Sequence, residues 1–260
     1  MLTNAQKKLI RSLEQKKYRD RHGLFVVEGP KAVREFMKYQ EPEILLTDIE
    51  EIKQVSFLKH PQEMLAVFRI STQSPTPALP GREGVLRNDS IIEDSSVEGN
   101  YKTLPLLGGV GGGLLLALDG VQDPGNLGTI IRIADWFGIK RIVCSKETAD
   151  AYNPKTVQAT MGSLARVNII YVESLAHWLE SLPKGTPIYG TLLDGENIYR
   201  QELSQEGVIV MGNEGNGISE EVRRLVTHKL LIPSFSDGDT AESLNVAIAT
   251  AITCSEFRRQ

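Results

Sequence analysis

Cysteine is scarce in this chain. Its two residues, Cys144 and Cys254, stand far apart, each inside an apolar segment. That reads as buried thiols in a reducing compartment, not as a disulfide framework. Zinc-type Cys/His spacing is missing, so no metal is expected. Long apolar runs are missing too. The longest uncharged stretch, Thr103–Leu118, is too short and too rich in glycine to cross a bilayer, and the opening MLTNAQKKLIRSL has no apolar signal core. A cytoplasmic protein with no membrane partner is the plain expectation. Nor is there an excess of positive charge: 29 Lys and Arg face 33 Asp and Glu, for a net −4. This argues against a uniformly basic nucleic-acid binder and leaves room for a local basic patch.

Such a patch is present. Residues 1–40 carry ten Lys/Arg against four acids, a net +6, so the remainder carries −10. The 260 residues suffice for two small domains or one large one. Residues 3–17 suit a basic amphipathic helix, Leu24–Val27 a strand, and Pro30 the first turn of a helix reaching about Met37. With strands at Ile44–Leu46 and Met64–Phe68, a small α/β module fills 1–70. Residues 71–113 concentrate proline and glycine without periodicity and read as a linker or insertion. From 114 to 260 the pattern alternates. Strands are expected at Leu114–Leu118, Arg141–Cys144, Val167–Val172, Pro187–Leu193, Val208–Met211 and Leu230–Ile232. Helices are expected at Pro154–Leu164, Leu175–Leu182, Ser219–Val226 and Ser243–Arg258. Alternation of this kind predicts a mainly parallel sheet covered on both faces.

The stretch LLLALDGVQDPGNLGTIIRIADWFG, Leu114–Gly138, organises that second region. A buried strand delivers a polar turn and then a helix from about Leu127 to Phe137, with Asn126 at the N-cap position and Gly138 at the C′ position. Leu127, Ile130, Ile131, Ala134 and Phe137 form one apolar stripe. Arg132 points away from it, one turn beyond Gly128, which has no side chain to obstruct it. Spacing alone also allows a plainer role, with Asn126 a cap and Arg132 a solvated surface residue. Two later strings have the same dual character. In VIVMGNEGNGIS, 208–219, a strand runs into a glycine-rich loop and a helix that Ser219 suits as a cap. In LIP followed by ESLNVA, 231–247, Ser243 suits the cap of the last helix and Asn245 its first turn.

Read as strings, these residues carry more. Asn126-x-Gly128-x-x-x-Arg132, GNEGNGIS and IP…SLNVA stand in the order of the three motifs of the SpoU/TrmH family of RNA ribose methyltransferases, which the chain resembles. Its opening, KKYRDRHGLFVVEGPKAV, resembles the ribosomal-protein-like substrate-binding domain found before many such enzymes. One departure is the Ser234–Glu242 loop, longer than the family's short link. The resemblance implies a SPOUT fold, an α/β domain with a parallel sheet and a C-terminal trefoil knot. It also implies S-adenosyl-L-methionine as cofactor, a homodimer through the knotted domain, and methylation of a ribose 2′-hydroxyl in ribosomal or transfer RNA. By the same resemblance Arg132, Asn126, Glu214, Ser243 and Asn245 form the catalytic set. Leu192, Met211, Gly212, Glu214, Gly217, Ile232, Ser243, Leu244 and Asn245 hold the cofactor. Lys16, Lys17, Arg19, Arg21 and Arg132 are expected to meet RNA. Two other functions fit the same fold: an RNA-binding ribosome-assembly factor without catalysis, and a methyltransferase for the guanine base. Retention of Asn126, Arg132 and the SLN string favours the ribose enzyme over both.

Overall fold

The computed structural model describes residues 2–70, 113–236 and 243–259. The expectation for the linker at 71–113 therefore lies, Gly113 excepted, outside the described residues. The first module runs α1 (Asn4–Ser12), α2 (Lys16–His22), β1 (Leu24–Glu28), α3 (Pro30–Met37), β2 (Ile44–Leu46), α4 (Ile49–Ile52) and β3 (Leu65–Arg69). The single basic helix expected at 3–17 is thus two helices. A capping box of Thr3 and Gln6 starts the first, and the second begins after the turn at Leu13–Gln15. The three strands form an antiparallel sheet in the order β1-β3-β2.

Why the strand at Leu24–Glu28 reads as an unbroken apolar run is plain from its two faces. Successive side chains on a strand point to opposite sides. Val26, Leu65 and Val67 pack with Ile10, Leu13 and Ile52 in one core, whereas Phe25, Val27, Ala66 and Phe68 join the core of the second module. Phe25 also meets Tyr152 of that module, with ring centroids 4.8 Å apart.

The second module runs β4 (Leu114–Leu118), α5 (Pro124–Trp136), β5 (Arg141–Ser145), α6 (Pro154–Thr160), β6 (Asn168–Val172), α7 (Leu175–Glu180), β7 (Ile188–Asn197), β8 (Gly207–Met211), α8 (Glu220–Arg223), β9 (His228–Leu231) and α9 (Val246–Arg259). Its six strands are parallel, in the order β6-β5-β4-β8-β7-β9. On β4 the alternation is again two-sided. Leu114, Leu116 and Leu118 meet residues of α5, α6 and α9, and Leu115 and Ala117 meet those of α7 and α8. The chain runs outward from β4 to β5 and β6, then returns on the other side, so β4 and β8 flank the point where connection direction reverses. Open α/β sheets bind ligands outside the carboxyl ends of such strands.

Four expectations change. Helix α5 starts at Pro124, not Leu127: Pro124 takes the first helical position, where its missing N–H costs nothing, and Asp123 is the cap, accepting from the Asn126 N–H at 2.8 Å. Asn126 is therefore inside the first turn. Likewise α9 starts at Val246, and Asn245, not Ser243, caps it, its Oδ1 accepting from the N–H of Ala247 at 2.9 Å. Gly128 serves a close helix crossing and not access to Arg132, because a Cβ there would lie 2.5 Å from the Ala159 Cβ. Strand β7 extends to Asn197 with a register shift, Leu230 facing both Thr191 and Glu196, so Leu192–Gly195 loops out of the ladder.

Charged residues lock the two modules together. Arg19, expected on the RNA surface, is 2% exposed and donates to the carbonyls of Leu13 and Glu14 and to Asp150 Oδ2 at 2.6 Å. It is a structural residue. Arg166 similarly bridges Glu35 of α3 and Asp135 of α5. Removing one partner of a buried pair leaves an uncompensated charge. Asp150→Ala should therefore lower unfolding stability by about 3 kcal/mol, read from urea denaturation. A loss within error of zero would mean that Arg19 is satisfied by its two carbonyls alone.

Candidate active site

Three loops meet at the carboxyl edge of β4 and β8. The turn after β4, Asp119–Asp123, lies against the loop after β8, Gly212–Ser219, and hydrogen bonds join them along their length. Asn213 Nδ2 donates to the Gly120 carbonyl at 2.7 Å, and the Ser219 N–H donates to Asp119 Oδ2 at 2.7 Å. Within the second loop Asn213 and Gly217 exchange backbone bonds, and Asn213 Oδ1 accepts from the N–H groups of Gly215 and Asn216. Gly212 is required by closeness: a Cβ on it would sit 2.3 Å from the Gly217 carbonyl carbon.

Glu214 reaches back from this loop. Its carboxylate accepts from the N–H groups of Gln122 at 3.2 Å and Asp123 at 3.4 Å and from Asn126 Nδ2 at 2.9 Å. Asn126 Oδ1 accepts in turn from Asn245 Nδ2 at 2.9 Å. Each amide orientation is dictated by its neighbours. A carboxylate only accepts, so Asn126 must turn its NH2 to Glu214 and its oxygen to Asn245. Asn245 has its own oxygen occupied by the cap of α9. Three of the expected catalytic residues therefore form one chain, Asn245 to Asn126 to Glu214. Burial works to raise the Glu214 pKa. The bonds from Asn126 and from the backbone of Glu214, Gln122 and Asp123 outweigh it and hold the carboxyl below its ordinary 4.5.

Arg132 is exposed, six residues along α5 from Asn126, and makes no ion pair among the described residues. Ser243 is exposed beside residues 237–242, which lie outside the described residues together with most of the long loop noted in the sequence. Gly212 and Ile232 stand just beyond the carboxyl ends of β8 and β9, Leu192 opens the segment that loops out of β7, and Met211 is buried as the last residue of β8. Leu244, 50% exposed, precedes the α9 cap. Gly217 closes the β8 loop in a left-handed conformation, φ +70°. Apolar side chains at the ends of β8 and β9 and on the looped segment of β7 could enclose a ligand with apolar surface. Of the expected RNA contacts, Lys16, Lys17 and Arg21 are exposed on α2; Arg19 is not available. Asp119 and Asn213, which fasten the two loops, were not singled out from the sequence. Their short polar side chains at strand exits were the signal. Among the described residues no group of His, Cys, Asp and Glu could hold a metal ion, and no helix is long and apolar enough to cross a membrane.

The depressed Glu214 pKa has a consequence for stability. Its ionised form stabilises the native state above the unfolded value near 4.5, and this contribution disappears as pH falls through the lower folded value. Glu214→Gln should flatten the acid limb of a thermal-stability profile, and Asn126→Ala should do so in part. Matching acid limbs for wild type and Glu214→Gln would show that the carboxylate is not held by these bonds.

Comparison with known proteins places the fold. The family model for the SpoU rRNA methylase family matches residues 113–255, and that for an MRM3-like substrate-binding domain matches 4–51. A 23S rRNA guanosine 2′-O-methyltransferase from Bacillus subtilis is 36% identical over 55% of this chain and 57% of its own. The chain thus spans little more than half of that relative's length. Among solved structures, one from Porphyromonas gingivalis assigned to the TrmH family of RNA methyltransferases is 36% identical, with a TM-score of 0.78 over all of both chains. An AdoMet-bound rRNA methyltransferase from Sinorhizobium meliloti is 29% identical, with a TM-score of 0.76 over all of this chain and 96% of that one. The chain belongs to the SpoU rRNA methylase family and has its α/β fold with a parallel sheet.

Proposed function

We propose that the protein is a cytoplasmic S-adenosyl-L-methionine-dependent methyltransferase acting on a ribose 2′-hydroxyl of RNA, with ribosomal RNA the favoured substrate. The observation that carries this is the Asn245–Asn126–Glu214 chain, which gathers all three family motifs at one sheet edge. The cofactor, when bound, supplies a methyl group on a sulfonium. Leu192, Ile232 and Leu244 would enclose it with the backbone at Met211, Gly212 and Gly217, and Ser243 and Asn245 would lie at its rim. The C-terminal trefoil knot implied by the family would be made by these same loops.

The reaction needs in-line placement, exclusion of water and an outlet for the hydroxyl proton. Arg132 is the side chain left free to serve the substrate. As a guanidinium it is nearly always protonated, so it acts best by gripping the adjacent phosphate and stabilising the developing alkoxide, the proton leaving to phosphate or water. Asn126 and Glu214 hold the first turn of α5 in place beneath it. The exposed basic residues of α2, Lys16, Lys17 and Arg21, would bind RNA phosphate. A homodimer is part of the same reading: Trp136, one turn beyond Arg132, is 85% exposed, and Ile248 on the adjacent α9 is 52% exposed. Burying either in an interface would take a large apolar side chain out of water.

Arg132→Ala should leave thermal stability unchanged, because exposed substitutions seldom matter, and S-adenosylmethionine affinity nearly so. Methyl transfer to ribosomal RNA should fall roughly 10²–10³-fold, the scale of losing one preorganised donor. Near-normal transfer would return Arg132 to a solvated surface role, and absence of cofactor binding in calorimetry would count against an enzyme altogether. For the dimer, Trp136→Asp should shift the sedimentation coefficient to that of a monomer, and an unchanged value would place the interface elsewhere.

A further inference from the structure

A cleft of about 730 Å³ opens between the two modules, away from the strand ends expected to hold the cofactor. That volume lies in the range of small-molecule sites, about 300–1,000 Å³. Its walls come from β1, the loop at Phe57–Lys59 and α6, and it reaches Gly125 in the first turn of α5. Phe57, Leu58, Pro154 and Ala159, all half-buried, give it apolar faces above the buried Val26 and Val157. Glu14, Glu28, Lys59 and Gln158 give it polar ones. Glu28 is a buried carboxylate, positioned by the Ser56 hydroxyl and the Phe57 N–H. Glu14, Lys59 and Gln158 make no side-chain hydrogen bond among the described residues, so the cleft presents unused acceptors and donors together.

Lys155 also lines the cleft, but its ammonium is engaged by Asp123, so the carboxylates of Glu14 and Glu28 outnumber the Lys59 ammonium, a balance that does not favour the RNA backbone. It is right for a base. A flat π-system fits between apolar walls, and single-stranded RNA is read by stacking splayed bases and bonding their edges. Guanine is the base whose Watson–Crick edge sets donors at N1 and N2 beside an acceptor at O6, complementary to carboxylates beside an ammonium or amide. Gly125 lies seven residues before Arg132 on the same face of α5, about 10 Å along the helix axis, so a base in the cleft belongs to a nucleotide close to the reacting one. Resting on the methyltransferase reading above, we propose that this cleft takes an unstacked guanine of the RNA substrate. Glu14 and Glu28 accept from its N1–H and N2–H groups, and Lys59 or Gln158 donates to O6.

The test is fluorescence anisotropy on the full chain with short single-stranded RNAs, uridine alone or alternating with guanosine, adenosine or cytidine. Wild type should prefer the guanosine-containing strand by about fivefold or more, the low end for one bidentate base contact. Glu14→Gln and Glu28→Gln should each reduce that preference, and the double variant should abolish it. Removing a negative charge strengthens phosphate binding in general, so a selective loss for guanosine runs opposite to the purely electrostatic effect. Glu14 is exposed, so its variant should fold even if Glu28→Gln does not. A 6-thioguanosine cross-link should map to 57–59 or 153–159. Base-blind binding by wild type, an unchanged preference in both variants, or cross-links only elsewhere would overturn the proposal. Guanosine preference in a protein that fails to bind S-adenosylmethionine would support the cleft while sinking the methyltransferase reading.

Discussion

The side-chain amide of Asn126 stands between the Glu214 carboxylate and the Asn245 amide, and the candidate site hangs on that arrangement. The three residues come from the first turn of α5, the loop after β8 and the start of α9. Nothing local brings them together. A parallel sheet does, because all six strands end on one edge and connection direction reverses between β4 and β8. Once there, the groups are used up pairwise: the carboxylate accepts from two backbone N–H groups and one amide, and the second amide serves as a helix cap. A network with its members satisfied is rigid, and rigidity is what lets a site act by position.

The same logic extends to the first module. One side of its sheet packs on α1 and α4, and the other on α3 and on residues of the second module such as Tyr152. The Arg19–Asp150 pair and the Arg166 bridge then fix the docking angle. A domain held through its own core does not sway on a linker. The placement of α2 relative to Arg132 is therefore a property of the fold, and so is the cleft between the modules. It follows that truncating the first module would strip Phe25, Val27 and Phe68 from the main core, so the functions of the two halves are better separated by point variants than by deletion.

Strand positions and the parallel second sheet were legible in the sequence because buried strands write themselves as short apolar runs, as in LLLAL and VIVM. Helix starts were less so. Asn126 and Ser243 have the right chemistry for a cap, but proline at the first helical position moved one start back to Asp123, and Asn245 took the other. In both cases the residue's local role changed. Arg19 failed for a different reason. Its neighbours Lys16, Lys17 and Arg21 are solvated, and nothing in a basic stretch marks the one member that turns inward to meet an aspartate more than a hundred residues away. The looping of Leu192–Gly195 out of β7 was likewise invisible, since it depends on the register with β9.

Contrast between Asn126 and Arg132 bears on mechanism. They share a helix, yet one has every polar atom engaged within the protein and the other has none so engaged among the described residues. An arginine kept free on a helix whose first turn is pinned can move its guanidinium while its Cα stays fixed. That suits a group whose partner arrives with the substrate, because bonding it beforehand to a protein carboxylate would have to be undone at binding. Its planar fork matches a phosphate in two-point contact, which a lysine ammonium cannot reproduce. The division of labour we propose follows from this: the asparagines and Glu214 hold the helix, and Arg132 is left for the substrate.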